Sequence, residues 1–151
     1  MVLTQKERGL LCDLRTQEQL CIEKYNKYSA LACDAELQNL FKTISSNEQN
    51  HLNTVNGMLG ENAAADASFS SFASEDSCKE SACDSHSDSK KYDAYLCQDA
   101  LAMEKHASSL YDVSIFEFGD TNARNTLNQI QKEEQNHGQQ LYSYLSSHNL
   151  V

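Results

Sequence analysis

The chain has no proline and no tryptophan, and only five glycines among its 151 residues. Sandwiches and barrels use those residues as punctuation at their turns, so this composition excludes them and favours long uninterrupted helices. Basic residues are also scarce, 12 against 22 acidic ones, for a formal net charge of -10. A surface of that sign repels phosphate backbones and anionic headgroups. Nucleic acid and membrane are therefore excluded as main partners, whereas a protein that gathers cations is favoured. No apolar run approaches the roughly 18–20 residues of a spanning helix. The opening residues MVLTQKERGLLCDL lack the charged-then-apolar pattern of a secretory signal, so none is expected. The six cysteines, at 12, 21, 33, 78, 83 and 97, form no Cys-x-x-Cys pair and no compact disulfide framework. Synthesis in a reducing compartment is expected, with any disulfides forming late or between chains.

What remains reads as four helices in two hairpins. Thr4-Gln5-Lys6-Glu7 is a capping box. Behind it Leu11, Leu14, Cys21, Tyr25, Tyr28 and Ala32 recur at steps of three and four or their sum, the apolar seam of a bundle helix. Asp34 caps a second helix with a seam of Leu37, Phe41, Ile44, Val55 and Met58. Residues 61–90 are rich in Ser, Ala and acids without a period, which predicts a mobile connection. Phe69 and Phe72 are its only large apolar groups and are expected to pin it to the bundle. A third helix is expected from Lys91 to Phe118, and Gly119-Asp120 ends it and caps a fourth carrying Ala123, Leu127, Ile130, Leu141 and Tyr144.

The halves repeat at an offset of 86 residues: Asn47-Glu48-Gln49-Asn50-His51 matches Glu133-Glu134-Gln135-Asn136-His137 in four of five positions. Helix hairpins need links of only about two to eight residues. Some thirty residues, at about 3.3 Å each, can run the length of a bundle and start helix three from the far end. The expected fold is all-α: a ferritin-like four-helix bundle of two antiparallel hairpins, 4–60 and 91–148, with a flexible crossover at 61–90, the whole of 1–151 being one domain.

The seams have polar holes: Glu18, Glu48, His51, Glu104, Glu134 and His137. Burying four carboxylates costs several kcal/mol apiece unless each is paired or ligated. Their heights agree. Glu18 and Glu48 each lie fifteen residues from Cys33 at the first turn, and Glu104 and Glu134 each fifteen from Gly119 at the second. In Glu48-x-x-His51 and Glu134-x-x-His137 both side chains share one helix face. One Glu from each of two helices plus Glu-x-x-His from each of the others is the ligand set of dinuclear iron or manganese bundles. Two divalent ions are expected, Fe or Mn, with Zn as a substitute. The residue before each Glu-x-x-His faces the other pair, so Glu133 is expected to accept from His51, and Asn47 from His137 through its amide oxygen. The same symmetry sends the Tyr25 hydroxyl to Glu104 and that of Tyr111 to Glu18. Cys78 and Cys83, in the connection, are expected to be accessible and to cross-link chains. With His86 and nearby acids they read as a solvated linker.

The stretches LTQKERGLLCDLRTQEQLCIEKYNKYSALACDAELQNLF and YLCQDALAMEKHASSLYDVSIFEFGDTNARNTLNQIQKEEQNHGQQLY resemble clostridial spore coat proteins of the Coat F family, within the ferritin-like superfamily. The likeness covers both hairpins, not the connection. It implies a protein made in the mother-cell cytoplasm during sporulation and deposited in the spore coat among other coat proteins; homo-oligomers stay open. The six candidate ligands are also similar to those of rubrerythrins and manganese catalases, although the rubredoxin-like cysteine pairs of a complete rubrerythrin are absent. Three readings follow: a coat component with a dinuclear metal site, a peroxide-scavenging or oxygen-reducing enzyme of manganese-catalase or rubrerythrin kind, and an iron store. In the enzyme reading Glu48 and Glu134 would bridge the metals and Glu18 and Glu104 would be terminal. Storage needs a closed shell of subunits, to which a single sequence does not testify.

Overall fold

The computed structural model describes residues 2–60, 83 and 85–151. Among them are four helices and no strand: α1 (Gln5–Leu31), α2 (Ala35–Leu59), α3 (His86–Glu117) and α4 (Thr121–Ser147). Their ends follow from local chemistry. Thr4 and Glu7 close the capping box reciprocally, with the Thr4 amide donating to Glu7 Oε2 at 2.8 Å. Asp34 accepts from the Glu36 amide, and Asp120 from the Ala123 amide. Gly60 ends α2 at φ 77°, a left-handed conformation in which a Cβ would be strained.

α3 begins five residues before the expected Lys91, at His86. The Ser85 hydroxyl accepts from the Asp88 amide and donates to the Asp88 carboxylate, a start signal that the polar composition around it conceals. Residues 85–90 therefore belong to the helix and its cap, not to a mobile connection. The rest of the expected connection apart from Cys83, with Phe69, Phe72 and Cys78, lies outside the described residues.

Each hairpin packs on itself, α1 on α2 and α3 on α4, and the two join through α1 against α3 and α2 against α4. The apolar seams meet in two clusters. One surrounds the first turn: Tyr25, Ala32, Leu37, Phe41 and Ile44 pack with Leu96 and Cys97 of α3 and Leu141 and Tyr144 of α4. The other surrounds the second turn, where Leu11, Leu14, Val55 and Leu59 meet Tyr111, Phe118, Ala123, Leu127 and Ile130. α2 thus finishes at one pole and α3 starts at the other, so the chain between them joins opposite ends of the bundle. This is the single-crossover topology.

Two features hold the hairpins in register. Cys33, in the first turn, is disulfide-bonded to Cys83, 50 residues away. This corrects one expectation: Cys83 is not a free thiol for cross-linking. Sequence spacing concealed the bond because only the folded turn brings residues so far apart together. Closing a loop of that length removes unfolded-chain entropy equivalent to about 4 kcal/mol. The second feature is a reciprocal clamp. Asp93 of α3 accepts from the Cys33 and Asp34 amides at 2.7 and 2.8 Å, tying down the turn of the first hairpin. Glu7 of α1 accepts from the Gly119 amide at 3.2 Å, tying down the turn of the second. Glu7 and Asp93 are themselves related by the 86-residue repeat.

Asp93 is 3% exposed and supplies acceptors for two amides. Asp93→Ala should cost about 2–3 kcal/mol, because it strands both donors in a buried turn. Urea unfolding with an unchanged m-value is the check. A loss under 0.5 kcal/mol, roughly the level of a surface change, would deny the clamp.

Candidate metal centre

Between the two apolar clusters lies one polar layer. Glu18 of α1, Glu48 and His51 of α2, Glu104 of α3 and Glu134 and His137 of α4 are all at most 2% exposed. Each takes a position that its helix periodicity turns inward, at the height that its distance from the turn dictates. The structure brings all six together.

Both imidazoles turn Nδ1 toward the carboxylates. His51 Nδ1 lies 3.1 Å from Glu48 Oε2, 3.4 Å from Glu134 Oε1 and 3.8 Å from Glu18 Oε2. His137 Nδ1 lies 3.1 Å from Glu48 Oε1, 3.3 Å from Glu134 Oε2 and 3.6 Å from Glu104 Oε2. Glu48 and Glu134 therefore each present one oxygen to either ring, whereas Glu18 attends only His51 and Glu104 only His137. Two overlapping sets of convergent donors result: Glu18, Glu48, His51 and Glu134, and Glu48, Glu104, Glu134 and His137.

The outer contacts are also paired. The Tyr25 hydroxyl donates to Glu104 and the Tyr111 hydroxyl to Glu18, each crossing from one hairpin to the other. Burial, together with the carboxylate that each faces, pushes both phenols far above their usual range, so they stay protonated donors. His51 Nε2 lies 2.8 Å from Glu133 Oε2. At the related place the Asn47 amide nitrogen, not the expected oxygen, lies 3.2 Å from His137 Nε2. A ring protonated at both nitrogens requires that amide to turn over and offer its oxygen. Cys21, placed on the α1 seam by its spacing, is a fully buried thiol one turn beyond Glu18. Burial and the charges of Glu48 and Glu18 push it up and hold it neutral. His106 and Glu23, beside the seams, are exposed and outside the layer.

Charge in the layer is divided unevenly. Burial, reinforced by the Glu134 charge, raises Glu18 well above the carboxylate range, and burial raises Glu104 to about 8. Burial acts the same way on Glu48, but hydrogen bonds from His137, His51 and Glu18 outweigh it and leave Glu48 at about 2. Glu134 is lowered against its burial by bonds from the same two histidines. Burial also opposes imidazolium, yet the surrounding carboxylates raise His51 to about 11 and His137 to about 12. These shifts favour protons on Glu18, Glu104 and both imidazoles and leave Glu48 and Glu134 as the carboxylates most readily ionised.

The geometry still leaves four buried oxygens, Glu18 Oε2, Glu48 Oε1, Glu104 Oε2 and Glu134 Oε1, without a well-directed hydrogen bond, although an imidazole Nδ1 stands within 3.1 to 3.8 Å of each. A buried acceptor left unpaired costs about 1–3 kcal/mol, and more if it is charged. All four belong to the same two donor sets. Oxygen and imidazole donors in this number suit Fe(II), Mn(II) or Zn(II). Two divalent cations in place of four protons would leave the layer neutral with all four carboxylates ionised, so the residues fit the group.

Residues 92–151 match the family model described as Coat F domain. No curated protein matches the chain. Among solved structures it is similar to a two-domain protein from Anabaena variabilis containing DJ-1/ThiJ/PfpI-like and ferritin-like domains, at 18% identity and a TM-score of 0.71. The match covers 95% of this chain but 36% of that one, so this chain spans about a third of its solved relative. At that identity the likeness speaks for the fold. The chain thus has the fold of a ferritin-like four-helix bundle, and its residues 92–151, in the second hairpin, match the Coat F domain.

Proposed function

We propose that the protein is a spore coat component whose buried layer binds two divalent cations, iron or manganese, with residues 1–151 acting as one ferritin-like domain. The Coat F match supports the coat setting. The observation that carries the metal site is the group of four orphaned carboxylate oxygens, all within two overlapping donor sets. Glu18, Glu48, His51 and Glu134 would hold one cation, and Glu104, Glu48, Glu134 and His137 the other. Glu48 and Glu134 would be shared, since each already offers one oxygen to either side. Glu133 orients His51 through Nε2, leaving Nδ1 free for a cation. Tyr25 and Tyr111 hold a proton at the terminal carboxylates.

A peroxide-scavenging or oxygen-reducing enzyme is the second reading. A redox-active pair of cations would supply two-electron chemistry toward such oxidants. The phenols favour this reading, because each places a proton donor on a terminal carboxylate inside a layer closed to solvent. Partners are proposed to be other coat proteins. No helix among the described residues is long and apolar enough to cross a membrane.

Protein purified without a metal-binding tag should contain close to two Fe or Mn per chain by elemental analysis. Less than half of one ion per chain after growth with both metals would sink the dinuclear reading. A catalase assay on the same material separates the readings, since activity supports the enzyme and inertness the coat component.

Loading should also release protons. Glu18, Glu104, His51 and His137 have raised values and are protonated at neutral pH, so two cations should displace about four protons. Apparent affinity should therefore climb with pH and fall in acid. Titration in buffers of different ionisation enthalpy reads the proton count, and pH-independent binding would contradict the site. Glu133→Ala should weaken affinity by roughly 10–100-fold. The Glu133 side chain is 40% exposed, so helicity should be unaffected. Unchanged affinity would deny its hold on His51.

A further inference from the structure

The cation layer is closed on most sides by apolar clusters, yet one cavity reaches its wall. A cleft of about 560 Å³ lies between α2 and α4 on the side of the second turn. Asn50 and Thr54 line it from α2, and Thr126, Gln129 and Glu133 from α4, with His51 at its inner end. Apart from Ile130 and the His51 ring, the lining is hydroxyls, amides and a single carboxylate, the groups that exchange hydrogen bonds with a hydrated ion. Glu133 joins cleft and centre: Oε1 accepts from Gln129 Nε2 at 2.8 Å, and Oε2 meets His51 Nε2 at 2.8 Å. On the other edge of that ring, Nδ1 faces the carboxylates of the layer. One imidazole ring therefore separates the cleft from the cage.

The repeat provides an internal comparison. An offset of 86 residues carries Thr126 onto Leu40, Gln129 onto Thr43 and Glu133 onto Asn47. On the side of the first turn the same seam thus has an apolar side chain in place of the hydroxyl and an amide in place of the carboxylate. Leu40 packs against the core there. The two halves of the α2–α4 seam are equivalent by descent and different in chemistry.

We infer that the α2–α4 cleft is the port through which hydrated divalent cations reach the buried layer, with Glu133 as the docking carboxylate and the His51 ring as the door. This rests on the dinuclear reading above and adds a direction to it. A cation arriving in the cleft meets Glu133 first. It exchanges water for the Glu133 carboxylate and passes inward when the ring turns aside. Both cations load from the His51 side, so the His137 donors fill through the His51 donors and not from the opposite half of the seam.

The test uses the full chain stripped of metal, and Co(II) alone as the probe, its visible absorption reporting ligation and a competing chelator reporting release. Thr126→Phe and Thr54→Phe plug the cleft from either helix. Each should slow Co(II) uptake and release at least tenfold, while the final absorption and the helical circular dichroism match the parent protein. Leu40→Phe, the repeat-related control, should change neither rate more than about twofold. Unchanged rates in both plugged variants overturn the port. So does a loss of final absorption in place of a loss of rate, and so does equal slowing by Leu40→Phe. Failure of the unsubstituted protein to bind Co(II) overturns the dinuclear reading itself. Binding at two ions per chain with cleft-independent rates overturns only the port.

Discussion

Four carboxyl groups and two imidazoles share one dry level of the bundle, and most of the remaining architecture follows from the cost of keeping them there. Like charges at that spacing cannot all remain ionised without a counter-charge. The layer meets this by dividing protons: the shared carboxylates Glu48 and Glu134 stay anionic against two imidazoliums, while Glu18 and Glu104 keep their protons. Even so, four oxygens remain without a well-directed hydrogen bond. Apolar clusters on either side keep the layer from solvent, which makes it expensive.

Such a layer is useful only if four helices hold the same height, and the register devices are correspondingly reciprocal. Glu7 caps the turn of the second hairpin and Asp93 that of the first. Tyr25 and Tyr111 cross in the same way to the terminal carboxylates of the opposite hairpin. Sliding one hairpin along the other would break both sets together. Among the described residues the Cys33–Cys83 disulfide adds a covalent stop at one pole. The repeat is thus symmetric in its polar contacts and asymmetric in its covalent one.

Asymmetry also appears around the layer itself. Glu133 and Asn47 occupy equivalent positions, but only Glu133 brings a charge to the ring it meets. A carboxylate behind His51 puts a negative charge at the outer nitrogen of that ring, and an amide behind His137 does not. Two cations held by nearly identical donor sets would therefore be inequivalent, with the difference originating one residue before each Glu-x-x-His.

The sequence by itself determined the helices, three of the four starts, the 86-residue repeat and the six polar positions that interrupt the apolar seams. Each of these is a one-dimensional property. Periodicity says which face turns inward, caps say where a helix starts, and equal distance from a turn says which residues share a height. The start of α3 at Ser85 was legible in principle, but the polar stretch around it has no seam to announce a helix. Only the tertiary structure decided that Cys33 meets Cys83, that Glu7 and Asp93 clamp the opposite hairpin, and that a polar cleft opens beside His51. Those facts depend on how far one hairpin is rotated and shifted against the other. That setting comes from side-chain packing across the whole interface, and no spacing along a single chain encodes it.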